Sequence, residues 1–105
     1  MSEKGERYSV IVSDAATQML VAHARFLARV SENAARSLVA EFSEKAKSLE
    51  GFPERNPWLT DPLIPNRKYR KLLMANRYLI VHQVVDSDVF VVAVVDCRQD
   101  YGWLL

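Results

Sequence analysis

The chain has 105 residues, 50% of them hydrophobic, and a formal net charge of +1. That length suits one domain, residues 1–105, with a core of its own, and it excludes a disordered chain or a disulfide-stapled miniature. The single cysteine, Cys97, can close no internal disulfide, and no apolar run approaches the ~20 residues of a membrane span.

One thiol and no export signal make a reducing cytoplasm the expected location. The opening residues 1–8 are charged and lack the apolar core of a signal peptide. The near-neutral balance hides a local bias. Residues 67–77 hold Arg67, Lys68, Arg70, Lys71 and Arg77 and no acid. Such a strand suits a phosphate-binding face, an acidic protein partner, or an ordinary solvated sheet face.

In chain order, residues 8–12 are rich in β-branched side chains and predict a short strand. Ser13 stands where a helix N-cap is wanted, with Asp14 next to it at the positive end of the dipole. A helix is predicted over 14–30, its stripe built from Met19, His23, Phe26, Leu27 and Val30. Ser31 caps a second helix over 32–50, with Ala35, Leu38, Val39, Phe42, Ala46 and Leu49 on its apolar side. Gly51 is expected in the left-handed conformation that ends it, and Pro53 blocks a restart. So short a link makes the two helices an antiparallel hairpin.

Residues 52–66 contain all four prolines and predict an ordered, irregular connector. Phe52, Trp58, Leu59, Leu63 and Ile64 are expected to pin it to the core. Strands follow over 68–74, 77–85 and 89–97. Ala75-Asn76 and Asp86-Ser-Asp88 are the tight turns between them. The last strand is apolar on both faces, so it is expected to lie centrally, with the N-terminal strand adding to one edge of the sheet. The fold class is α+β: an N-terminal strand, an antiparallel helical hairpin and a three-stranded antiparallel meander, in the order β-α-α-β-β-β.

Glycines are too few for a phosphate loop, and His23, His82 and Cys97 show no metal-ligand spacing, so neither metal nor cofactor is expected. His23 reads as a core-edge residue, His82 as structural, and Cys97 as a small, partly buried core residue. The C-terminal segment puts Asp96, Arg98, Asp100 and Tyr101 at the exit of a central strand. Arg98 beside Arg70 or Arg77 can hold a phosphate through charge-assisted hydrogen bonds, and Tyr101 can stack on a base or move a proton. In the plainer reading, Asp96, Arg98 and Asp100 pair with one another.

Three segments carry a family resemblance: Leu49-Glu-Gly-Phe-Pro53, Tyr69-Arg-Lys-Leu-Leu-Met-Ala-Asn-Arg-Tyr-Leu-Ile-Val81 and Val94-Val-Asp-Cys-Arg-Gln-Asp-Tyr101. With the order of elements, they resemble the RelE/ParE superfamily of bacterial type II toxins, among them plasmid stabilisation proteins. The resemblance spans nearly the whole chain. It implies a cognate antitoxin whose tail wraps the toxin, and one of two targets. One branch cuts mRNA on the ribosome without metal, by attack of the RNA 2′-hydroxyl on the scissile phosphate. The ParE branch poisons DNA gyrase.

Residue by residue, the resemblance puts Arg98 at the last-strand arginine, Tyr101 near the C-terminal tyrosine and Arg70 where a strand lysine often sits. Those three are the expected catalytic residues of a ribosome-dependent endoribonuclease, with Lys68, Lys71 and Arg77 as RNA contacts. There are departures. Leu79 stands where the ribonucleases place an arginine, Leu72 replaces a second basic residue, and Asp100 falls where some have a histidine. Arg77 before Tyr78-Leu-Ile resembles the ParE branch, whereas Cys97-Arg-x-x-Tyr resembles the nucleases. A gyrase inhibitor, or a relative that binds antitoxin without toxicity, is therefore the alternative.

Overall fold

The structure, a computed structural model, describes residues 7–97. Its elements are β1 (Ser9–Val12), α1 (Asp14–Ala28), α2 (Glu32–Ser48), a 3-10 turn (Pro53–Arg55), β2 (Arg70–Met74), β3 (Tyr78–Val85) and β4 (Asp88–Asp96). The strands form one mixed sheet in the order β1-β4-β3-β2. β4 is central, antiparallel to β3 and parallel to β1. Its apolar composition on both faces is what that position requires.

Both helices start at the expected serines. Ser13 Oγ accepts from the Ala16 amide at 3.0 Å and Ser31 Oγ from the Ala34 amide at 3.2 Å. Each bond satisfies one of the first-turn donors that a helix leaves open. Leu20, Leu38, Phe42, Ala46 and Leu49 then bury the facing sides of the hairpin against Met74, Tyr78, Ile80, Val91 and Val94 of the sheet. Each large side chain removed from water there contributes about 1.5–3 kcal/mol.

The second sheet face is also covered. Leu59, Ile64 and Tyr69, from the connector and the start of the meander, pack on Leu79, Val81, Ala93 and Val95. A register shift opposite Val81 and His82 makes this possible: Val81 pairs with Ala93 and His82 with Val91, so Val92 has no partner. The extra residue reverses the alternation of β4. Val89 and Val91 face the helices; beyond the bulge Ala93 and Val95 face the connector.

Several expectations need correction. α1 ends at Ala28, and Phe26 and Val30 are 58% and 86% exposed, so neither joins the core stripe. Val39 is also exposed. No described glycine has positive φ; Phe52, at φ 54°, takes the left-handed place expected for Gly51. Phe52 and Leu63 are exposed and pin nothing, whereas Leu59 and Ile64 are buried as expected. In the β2–β3 turn both Ala75 (φ 55°) and Asn76 (φ 58°) are left-handed, a type I′ geometry that matches the twist of a hairpin.

Candidate functional site

β2 has basic residues at both ends, and the fold treats them differently. Arg70 begins the strand. Its guanidinium lies 3.7 Å from the centroid of the Trp58 ring and donates to the Asn56 carbonyl at 2.7 Å. The backbone joins in: Trp58 bridges to Arg70, the Leu59 amide donates to the Tyr69 carbonyl at 2.8 Å, and the Lys71 amide to Pro57 at 2.9 Å. Arg70 therefore ties the connector to the sheet edge. Lys68 is exposed, its ammonium 5.3 Å from the Tyr69 ring centroid, and Lys71 is half-buried on the face opposite Arg70.

Arg77 sits past the other end of β2, beyond the type I′ turn. Its Nε donates to Asp96 Oδ2 at 3.1 Å, and its carbonyl accepts from the Cys97 amide at 2.7 Å. The side chain of Arg77 is 41% exposed and that of Asp96 only 13%, so one side of the guanidinium stays open to solvent. It borders a cleft of about 280 Å³ between the helical hairpin and the turn, lined by Leu27, Ala34, Ser37, Leu38, Glu41, Ala75, Arg77 and Tyr78. Glu41 Oε2 accepts from the Ala75 amide at 2.8 Å and fixes the turn at the mouth of this cleft. Apolar walls with one cation and one anion at the rim suit an amphipathic protein segment.

The five residues of β2 span about 13 Å between Arg70 and Met74 at ~3.3 Å per residue, so Arg70 and Arg77 do not converge on one anion. β4 ends at the Arg77 side, where Asp96 pairs with Tyr78. Arg98, Asp100 and Tyr101 lie outside the described residues.

The histidines are structural, as expected. His23 Nε2 donates to the Val94 carbonyl at 2.8 Å and its ring lies 4.9 Å from that of Tyr78. His82 is fully buried. Burial pushes its pKa below the ordinary 6.5; the Ile80 carbonyl opposes that shift, the Arg70 charge adds to it, and the Pro53 carbonyl opposes it. A neutral buried ring is a poor proton donor to any surface ligand. Cys97, expected to be partly buried, is exposed. Leu79 is buried against the connector and Leu72 packs against the helix-side core, so both departures from the nuclease pattern have packing roles. Among the described residues, no group of three or more His, Cys, Asp or Glu is placed to hold a metal, and no helix is long and apolar enough to cross a membrane.

Sequence reasoning missed Asp96 as the partner of Arg77, and Trp58 and Asn56 as the partners of Arg70. An aromatic residue after Pro57 in an otherwise irregular connector was the available signal. The path of that connector over the strand edge was not.

Comparisons with known proteins agree with the fold. No curated protein matches. Seven chains of solved structures match. One of them, described as "Chromosomal ParDE TA system from P. aeruginosa", has a TM-score of 0.70 at 14% identity, covering 88% of this chain and 98% of that one. The family model described as "ParE toxin of type II toxin-antitoxin system, parDE" matches residues 10–101. With strand, helical hairpin and meander in the same order, the chain belongs to the ParE toxin family of type II toxin–antitoxin systems.

Proposed function

We propose that this toxin acts by binding protein, with the cleft beside Arg77 receiving a segment of its cognate antitoxin and a gyrase-class DNA topoisomerase as its cellular target. The supporting observation is the separation of the two strand-flanking arginines. Arg70 is stacked on Trp58 and bonded to Asn56, whereas Arg77 offers an open cation at an apolar cleft. A nuclease site needs several donors aimed at one phosphate; a protein-binding cleft needs apolar depth and a charge at its rim. The expected place of action is the bacterial cytoplasm.

The metal-free, ribosome-dependent endoribonuclease is the second reading. One observation favours it: the Cys97 amide is held by the Arg77 carbonyl, so β4 ends beside an arginine just before Arg98. On that reading Arg98, Tyr101 and Arg77 would grip the RNA. Arg70 would act only through the connector, and Lys68 and Lys71 would be peripheral RNA contacts.

Inducing the chain alone in cells separates the two readings. DNA-damage signalling, loss of supercoiling activity and intact transcripts are expected. RNA ends clustered within translated codons, with supercoiling unchanged, would overturn the topoisomerase reading and favour the nuclease. Growth unaffected in both assays would leave a non-toxic antitoxin-binding relative.

A further inference from the structure

The connector wraps an edge of the sheet. β3 alternates regularly, so His82 shares the helix side with Tyr78 and Ile80. There Asn56 Nδ2 bonds both the Pro53 carbonyl at 3.1 Å and His82 Nε2 at 3.5 Å. Trp58 then pairs with Arg70 at the edge of β2, and Leu59 reaches the opposite face. We propose that residues 53–59 form a strap around the β2 edge, latched by the neutral imidazole of His82 and released when that ring takes a second proton.

The chemistry follows from the ring's two partners. The Ile80 carbonyl, 3.1 Å from Nδ1, can only accept, so Nδ1 carries the proton. Nε2 is left as acceptor for the Asn56 amide. A proton on Nε2 sets two donors against each other, at a ring with 0% exposure. The charges around the ring are uneven. Arg70 of β2 opposes a second positive charge. Glu54 and Arg55 of the 3-10 turn are exposed to solvent, and the Tyr8 hydroxyl donates to Glu54 at 3.5 Å. β4 places uncharged Val91 opposite, and α2 brings Glu44 and Lys45, of opposite sign, to the cleft that Asn56 lines. The carbonyls of Ile80 and Pro53 favour the cation, and at Pro53 the ring competes with the Asn56 amide for the same oxygen.

Asn56 is the shared joint. Its side chain meets His82, and its carbonyl holds Arg70. Loss of the first contact loosens the second, and with it the stacking on Trp58. Release would expose the Tyr69 carbonyl and the Lys71 amide, which the strap now occupies, as an open strand edge. An extended peptide could add to such an edge.

Hydrogen exchange on the full chain between pH 7.5 and 5 tests this. The reporters are the protection factors of the Leu59 and Lys71 amides, with β3–β4 ladder amides as control. Below pH 6.5, the ordinary value for the ring, opening at both reporters is expected to rise by up to about tenfold per pH unit while the ladder stays protected. His82→Gln should flatten the response and His23→Gln should leave it intact. A pH-independent strap, a response that survives His82→Gln, or reporters that open only together with the ladder would each overturn the proposal. Should His82→Gln not fold, Asn56→Ala serves. Its His82 ring should titrate closer to 6.5 by ¹⁵N shifts, with lower strap protection at neutral pH; an unchanged titration would count against the latch.

Discussion

Arg70 opens a five-residue strand and Arg77 follows the turn after it, and the molecule uses these two like charges in opposite ways. Arg70 is turned onto an indole and a carbonyl, where the flat, weakly hydrated guanidinium is stabilised without a carboxylate. Arg77 is anchored on one side by Asp96 and left open on the other, beside an apolar cleft. Charge density along a strand therefore does not define a binding face. What the guanidinium's own surroundings have already satisfied decides whether it is free for a ligand.

Charge reversal at Arg77 is expected to have the largest effect. Arg77→Glu should weaken antitoxin binding by about 30-fold or more, as loss of an interfacial arginine anchor typically does. It should also cost about 1–2 kcal/mol of stability, because it sets a second carboxylate beside Asp96, whose side chain is only 13% exposed, so binding is read well below the urea midpoint. Isothermal titration with the antitoxin and a urea melt give both numbers. Unchanged affinity would remove the distinction between the two arginines.

Arg70→Ala should show the reverse: antitoxin affinity within a few-fold of the parent chain, and a loss of about 2 kcal/mol in the urea melt. The loss combines the cation–π contact, the hydrogen bond to Asn56 and an unsatisfied carbonyl. A stability change near zero would mean that the connector holds without it.

The pH dependence comes next. His82 is neutral in the fold and its pKa is lowered, mainly by burial. The unfolded chain therefore binds the extra proton first as pH falls. The stabilisation from keeping this ring neutral is complete above about pH 6.5 and declines as pH drops from there toward the folded pKa. The slope in that window should not exceed about 1.4 kcal/mol per pH unit, and it should vanish in His82→Gln. Urea midpoints from pH 7.5 to 5 measure it.

The smallest effect is expected at the turn that sets the position of Arg77. Ala75 holds a left-handed φ of 55° that a side chain disfavours. Ala75→Gly should stabilise the chain by up to about 1 kcal/mol, offset in part by the greater freedom of glycine in the unfolded state. A higher thermal midpoint is the expected result.

Much of the architecture was legible because local chemistry and global fold agree. Ser13 and Ser31 cap as their positions suggest, Ala75-Asn76 turns, and the doubly apolar β4 lies in the middle. Helix ends were less legible: Phe26 and Val30 fit the helical period but face solvent, while Leu27 packs on the core. Gly51 was expected to end α2 in the left-handed conformation, yet Phe52 adopts it. The candidate site was the least legible part. A basic run was visible in sequence, but the stacking of Arg70 on Trp58 depends on a connector path that no periodicity encodes. The pairing of Arg77 with Asp96 depends on a register set across two strands and a bulge.

The parallel contact between β1 and β4 bears on the birth of the molecule. Ser9 to Val12 find their only strand neighbours among the described residues in Asp88 to Val91, near the far end of the chain. Until those residues leave the ribosome, β1 has nothing to pair with and the sheet lacks its middle. At about 5–20 residues per second, a nascent chain spends several seconds with β1 waiting for its neighbour.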